Sequence, residues 1–418
     1  MKKNVLFLIV LLFSAVISYG QTATTIADGL WYMPTTWDCS CIPGPGYTVN
    51  INHNVILDND FALNGGAINI GISGELEENM SGRYLVMYAG SIVNNGTIVI
   101  SNAAFYGGVF NNNHISVFDV KFFSGAVVNN SGDILGVDSL FIQSDFNNGV
   151  NGELEAVRAT VNDTLLNYGQ MNVSELMNLS AFINNNVATF IDFYSHNYTR
   201  NNDQINFTDL TSDGFFENYG TLHGVGNMSN IGHFYNSTSA QIGLDDDFSN
   251  TDTANGLAYF VNEGAVLVSG SFFNGDTITG AGGHFCIGDA SSNDGAMLGT
   301  FDFCDITGSG APDINTGYIS SGITYCQSPC SLSASEPGNT AAFTIYPNPS
   351  DDKVFINCDG CRNNFQMTVS DMLGNIVLSQ ISAGNDKIII TRDGLPAGIY
   401  IYQIVSGDQL FKGKIVLQ

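Results

Sequence analysis

From residue 93 to residue 268 the sequence keeps returning to one phrase. An apolar residue is followed by Asn, then by one or two small or polar residues, then by a short run in which apolar and polar positions alternate. Val93-Asn94-Asn95-Gly96-Thr97-Ile98-Val99-Ile100, Leu166-Asn167-Tyr168-Gly169-Gln170-Met171-Asn172-Val173 and Val261-Asn262-Glu263-Gly264-Ala265-Val266-Leu267-Val268 are three copies. Asn218-Tyr219-Gly220-Thr221-Leu222 is a shorter one. Alternation with a period of two marks a strand with one buried face. The leading Asn residues fall at 94, 111, 129, 147, 167, 184, 218, 236 and 262, in steps of 17, 18, 18, 20, 17, 34, 18 and 26. The step of 34 is two steps of 17 through a degenerate copy at Asn201-Asn202.

A unit of 17–20 residues is too short for a helix pair or a propeller blade, and it cannot bury a core of its own. Copies must stack. Two or three strands of ~3–5 residues per unit, joined by tight turns, predict a parallel β-helix whose coils rise ~4.8 Å each. Asn and Gly tolerate the left-handed backbone that such turns use. Stacked Asn side chains are expected to hydrogen-bond along the axis as a ladder. A row of β-sandwiches needs units near ~100 residues, which this period does not suit.

Composition supports an all-β chain. Gly and Asn contribute 47 residues each to the 418, while charged residues are only 12%. The net charge is −27, and it is unevenly placed. Residues 21–340 hold 32 acidic and four basic residues (Arg83, Lys121, Arg158, Arg200), whereas residues 341–418 hold 7 acidic and 6 basic. The acidic region argues against nucleic acid and against an anionic membrane surface as partners.

Four segments are expected. Residues 1–20 read as a signal peptide: Lys2 and Lys3, the apolar run Val5–Ile17, then Ser18-Tyr19-Gly20 before a cut at Gln21. Residues 21–330 are the β-helix passenger, 331–342 a small polar linker, and 343–418 a second domain of about seven short strands, an Ig-like antiparallel β-sandwich. No other run is long and apolar enough to span a bilayer.

Two stretches carry family resemblances. Trp37-Asp38-Cys39-Ser40-Cys41-Ile42-Pro43-Gly44-Pro45-Gly46-Tyr47, with Val49-Asn50-Ile51 and Val55-Ile56-Leu57-Asp58, resembles the opening of right-handed β-helix domains in secreted bacterial surface proteins. Trp31 and Trp37 would plug the open end of the solenoid. Tyr346-Pro347-Asn348-Pro349, Asp371-Met372-Leu373-Gly374-Asn375, Leu395-Pro396-Ala397-Gly398-Ile399-Tyr400 and Lys412-Gly413-Lys414 resemble, in order, the type A C-terminal sorting domain of the type IX secretion system. The resemblance implies type IX machinery as a partner and export to the cell surface or beyond. It also implies removal of the sorting domain, with the passenger released or joined to surface lipopolysaccharide. Ser331–Thr340 is the expected place of that cut.

The eight Cys form close sequence pairs, and export makes disulfides the expectation. Cys286 and Cys304 are one repeat apart, which places them at the same position of adjacent coils and within bonding distance. Cys326 and Cys330 would staple the exit from the solenoid, Cys39 and Cys41 would pair locally or stay reduced, and Cys358 and Cys361 would close a hairpin, with metal binding through Cys-x-x-Cys as the alternative.

Candidate chemistry is sparse. β-Helix polysaccharide lyases commonly use a basic residue with Ca²⁺, and hydrolases of the fold use clustered Asp with His. Here Gly232-His233-Phe234 and Gly283-His284-Phe285 echo one fragment of a polygalacturonase-like pattern, and the rest is missing. Asp245-Asp246-Asp247 is the densest acidic run and a candidate Ca²⁺ site; the alternative is a solvated loop. Ser139, Thr164, Thr253 and Thr277 each follow Asp and precede an apolar residue, which resembles the O-glycosylation signal of bacteria with this secretion system; ordinary turn chemistry places the same residues. Tyr168 and Tyr219, between Asn and Gly in turns, point outward and would contact sugars or a partner. The sequence thus predicts a non-catalytic, adhesin-like surface protein, with a carbohydrate-active β-helix enzyme (lyase or glycoside hydrolase) as the alternative.

Overall fold

A computed structural model describes residues 21–80, 82–251, 258–330, 343–346, 350, 353–358, 365–370, 376–382, 387–392, 395–396, 398–406 and 409–417. Contacts divide the chain into two units, Met1–Leu332 and Ser333–Gln418.

The first unit is a parallel β-solenoid of about 14 turns. Each coil lays down three strands, and each strand pairs in parallel with its counterpart one coil on. The faces are called A, B and C in chain order. One coil shows the plan: Thr164–Asn167 lies on face A, and the strand Gln170–Asn178 serves face B with residues 170–173 and face C with residues 175–178. Face A then repeats as Ala181–Asn184, Tyr198–Asn201, Phe215–Asn218, His233–Asn236 and Tyr259–Asn262. In nearly every short strand the second and fourth residues are buried and the first and third face outward. The period-two pattern therefore places every buried side chain on one axial core.

Aromatic side chains stack along that core. Phe216 lies over Phe234 with ring centroids 4.6 Å apart, and Phe234 over Phe260 at 4.9 Å. Adjacent coils fix this spacing, because side chains in register sit one strand separation apart. At the first coils Trp31 and Trp37 are completely buried, with the Trp37 indole N–H donating to the Trp31 carbonyl at 2.9 Å. They close the core at that end, where an open coil would otherwise expose apolar surface.

The fourth residue of face A is the Asn of the repeat, and it is buried. Asn94, Asn112, Asn130, Asn148, Asn167, Asn184, Asn201, Asn218, Asn236 and Asn262 form an unbroken ladder, each Nδ2 donating to the next Oδ1 at 2.8–3.0 Å. Most also donate to a main-chain carbonyl of the following coil, as Asn184 does to Gln204 at 2.9 Å. The expected ladder is there, with a correction. At 111, 129 and 147 the sequence reading took the first Asn of a pair, and the structure buries the second. Alternation decides it, since only one residue of two neighbours can face the core. Asn111 and Asn129 instead bond each other on the outside, at 2.9 Å. Asn201, read as degenerate, is a full member.

A second ladder runs along face C from Asn230 onward: Asn230, Asn250, Asn274, Asn293 and Asn315, linked at 2.7–2.8 Å. In the first coils the corner from face C to face A is tight instead. Gly108 takes φ 91°, and a Cβ there would run into the Gly90 carbonyl oxygen of the previous coil.

The cysteines pair differently from the sequence expectation. Cys286 and Cys304 do occupy the same position on adjacent coils. Their partners, however, are Cys330 and Cys326: Cys286–Cys330 and Cys304–Cys326, with Cα separations of 5.6 and 4.5 Å. Tyr325 pairs with Phe303, so Cys326 arrives beside Cys304, and the following residues reach back as far as Cys286. Register put one further cysteine into the column, and sequence spacing alone does not rank the neighbours. Cys39 and Cys41 are joined to each other. Cys361 lies outside the described residues, so the Cys358–Cys361 expectation does too.

Asp302, beneath this lock, is buried. Burial by itself pushes its carboxyl up, but the backbone N–H groups of Ser328 and Gln327 and the Thr324 hydroxyl outweigh that and hold it below the usual aspartate value. A depressed native pKa means stability present in full above the ordinary value and lost as pH falls through the native one. Acid should therefore loosen the last coils, and Asp302→Asn should remove that part of the pH dependence. Hydrogen exchange at residues 300–326 between pH 6 and pH 3 would show it; equal acid sensitivity in both proteins would refute it.

The second unit contains two antiparallel sheets. One joins Phe343–Tyr346, Lys353–Cys358 and Lys387–Thr391. The other joins Ile376–Ser382, Phe365–Ser370, Gly398–Ser406 and Gln409–Leu417.

Candidate functional site

Outward positions of a solenoid strand repeat once per coil, so like residues at the same position build a row on the surface. On face A the first outward position reads Tyr198, Phe215, His233, Tyr259 over four successive coils. The third reads Arg200, Glu217, Tyr235, Val261. Phe215 stacks on His233 at 5.7 Å between ring centroids, and His233 meets Tyr259 at 5.7 Å. Tyr219, in the turn just past the strand, meets Tyr235 edge to face at 5.8 Å. Between the two rows runs an open cleft of about 370 Å³, floored by Phe234 and lined by Phe215, Glu217, Tyr219, His233, Tyr235 and Tyr259.

Hydrogen bonds fix the polar groups. The Tyr198 hydroxyl donates to Glu217 at 2.8 Å, and the Tyr235 hydroxyl donates to Glu263 at 2.9 Å. Burial first, then the hydrogen bond to Glu263 and its charge, push the Tyr235 phenol up to about 12. The Tyr198 phenol is raised for the same reasons, with Glu217 as its partner. Both are therefore protonated at neutral pH. The Arg200 guanidinium lies 4.5 Å above the Tyr219 ring, and its Nη1 is 4.0 Å from Glu217. The cleft thus offers apolar ring surface bordered by carboxylates and by phenol oxygens that can still accept.

Sequence reading reached one corner of this site. Tyr219 belongs to it; Tyr168, 41% exposed, does not line the cleft. His233 was noticed as part of a catalytic fragment and sits instead in the aromatic row; His284 lies on face B. The remaining members were missed, although their signal was present: aromatic residues at 198, 215, 233 and 259 recur once per coil on polar-facing positions.

Other candidates are scattered. Asp245, Asp246 and Asp247 form an exposed corner between faces B and C, where Asp247 accepts the Ser271 N–H of the next coil at 2.7 Å. Asp209 and Asp60 cap later turns in the same way. Many acidic residues of the passenger are thus turn acceptors, and among the described residues no three His, Cys, Asp or Glu come together as a metal site. Ser139, Thr164 and Thr277 are half-buried, Ser139 within Ala126–Ile142 and the other two at the start of their strands, and the Thr164 and Thr277 hydroxyls face the Asp before them at 3.4 and 3.2 Å. Thr253 lies outside the described residues. In the second unit Tyr346 ends its strand, and the Tyr400 hydroxyl donates to the Pro396 carbonyl at 2.8 Å, close to Leu395. Lys412 and Lys414 pair with Gln403 and Ile401, and Gly398 with Leu417. Pro347, Asn348, Pro349, Asp371, Gly374 and Ala397 lie outside the described residues.

Residues 344–418 match the family described as the secretion system C-terminal sorting domain. This segment is a type IX sorting domain. It marks the protein for handling by the type IX secretion machinery and for export to the cell surface or the extracellular space. Among the described residues no helix is long and apolar enough to cross a membrane. No curated protein matches the chain. Among solved structures it is similar to the chitinase ChiW of Paenibacillus sp. str. FPU-7, described as a bacterial cell-surface-expressed multi-modular enzyme machinery, at 10% identity and a TM-score of 0.16. That similarity covers 70% of this chain and 24% of the other, so the chain spans about a quarter of that protein's length.

Proposed function

We propose that the type IX-exported solenoid is a non-catalytic, adhesin-like rod that holds glycans in the face A cleft. The observation that carries this reading is the convergence of Phe215, Tyr219, His233, Tyr235 and Tyr259 from three coils around one open cleft, with Glu217 in its wall. Aromatic rings cover the apolar C–H faces of sugars, and fixed carboxylates and phenols meet their hydroxyls. The phenols nearest the carboxylates hold their protons in hydrogen bonds to Glu217 and Glu263, which makes them poor nucleophiles. On the same reading residues 1–20 direct export across the inner membrane, and a cut within Ser331–Thr340 frees the passenger or leaves it on surface lipopolysaccharide.

The test is a glycan panel on the secreted protein, scoring binding together with release of reducing or unsaturated ends. Binding without product is expected, weakened about tenfold or more in Phe215→Ala/Tyr259→Ala. Product formation would overturn the non-catalytic reading, and unchanged binding by the double variant would remove the cleft from it.

A further inference from the structure

The cleft has a sign as well as a shape. Glu217 stands in its wall, and Glu263 holds Tyr235 from behind. Each carboxylate accepts one tyrosyl hydrogen bond, at 2.8 and 2.9 Å, and a carboxylate has room for several. The rings of Tyr219 and Tyr235 meet edge to face at 62°, so they are not stacked face on face. Rings set at angles beside carboxylates are the arrangement that holds ammonium groups.

The molecule already uses one of these ring faces for a cation. Arg200 places its guanidinium 4.5 Å over Tyr219 while staying within 4.0 Å of Glu217. Among the described residues it is the one Lys or Arg at the cleft, in a region with 32 acidic and four such basic residues. The long-range field therefore draws cations and repels uronates and sulfated sugars.

Taking the glycan reading as given, we propose that the cleft selects ligands bearing an ammonium group. The group sits among Phe215, Tyr219, Tyr235 and Tyr259 with Glu217 as its counter-ion, and Arg200 competes with it for Tyr219. The carrier the cleft fits is an amino sugar with a free amine within a glycan chain, since the open channel between the rows continues past a single ammonium group. A choline-type headgroup shares the ammonium chemistry without the sugar.

The experiment is titration of the secreted protein by calorimetry with four probes: β-1,4-linked glucosamine oligomers, the same oligomers N-acetylated, the corresponding glucose oligomers, and phosphocholine. The free-amine oligomers should bind about tenfold tighter than the acetylated and neutral ones, and added salt should shrink the difference. Glu217→Gln should abolish the preference while leaving the weaker neutral binding in place. Arg200→Gln should act in the opposite direction, tightening amine binding several-fold. Opposite effects from two surface substitutions cannot come from misfolding. Equal affinity for all three oligomers would overturn the ammonium inference and leave the glycan reading standing. Absence of binding to every oligomer would remove the glycan reading. Phosphocholine binding stronger than any oligomer would keep the ammonium pocket and overturn the amino-sugar assignment.

Discussion

Asn184→Ala lowers the unfolding free energy by about 4 kcal/mol. Asn184 has no solvent exposure, accepts from Asn167 at 2.8 Å, and donates to Asn201 at 2.9 Å and to the Gln204 carbonyl at 2.9 Å. Removing it orphans a buried donor on one side and buried acceptors on the other, at ~1–3 kcal/mol for each unsatisfied group. The damage is felt where it occurs, since a solenoid is held by nearest-neighbour contacts. The control is Asn129→Ala. Asn129 makes a side-chain bond of the same length to Asn111, at 2.9 Å, but on the partly exposed surface. It should cost less than ~0.5 kcal/mol, because water replaces the lost partner. Urea denaturation of both variants, with hydrogen exchange across residues 160–220, separates the cases. Equal losses would mean that the ladder stabilises no more than a surface contact does.

The second large effect is at the other end of the rod. Cys286→Ser/Cys330→Ser should cost about 3 kcal/mol, the chain-entropy value for the loop that remains when Cys304–Cys326, nested within the 44-residue span, is already closed. The loss should be confined to the last coils, near Thr300–Asp305 and Thr324–Tyr325, because the earlier coils do not lean on this bond. Exchange at those residues should rise while the region around Trp31 stays protected. Peptide mapping without reduction decides the pairing directly. Peptides joining Cys286 to Cys304 would contradict the structure, and peptides joining Cys286 to Cys330 would support it.

The two experiments probe features of unequal legibility. The Asn ladder was visible as a period, and even its hydrogen bonding was foreseeable, yet pairs such as Asn111-Asn112 hid which residue turns inward. Both are Asn, so hydrophobicity carries no information there, and only the strand register resolves it. The cysteine column shows the same limit. A spacing of one repeat told that Cys286 and Cys304 are neighbours, but a bond needs a choice among neighbours. That choice was made by the path of residues 326–330 after the last coil, which has no periodic signal. The cleft was the least legible. Phe215, His233 and Tyr259 lie far apart in sequence, and Tyr259 follows a coil lengthened to 26 residues, so the row shows only when the coils are laid over one another.

The sequence alone determined that this protein is a stack of β-coils with a sorting domain behind it, because both rest on local information. A period-two alternation, an Asn at each corner and a set of ordered short motifs are all readable within a few dozen residues. The tertiary structure alone decided what the surface presents. Aromatic rows, carboxylate partners, the cation over Tyr219 and the disulfide pairing depend on the lengths of all intervening turns. Coils of 17, 18 and 26 residues all keep the ladder Asn inside because the turns between strands absorb the difference, and local sequence does not say which turn does so.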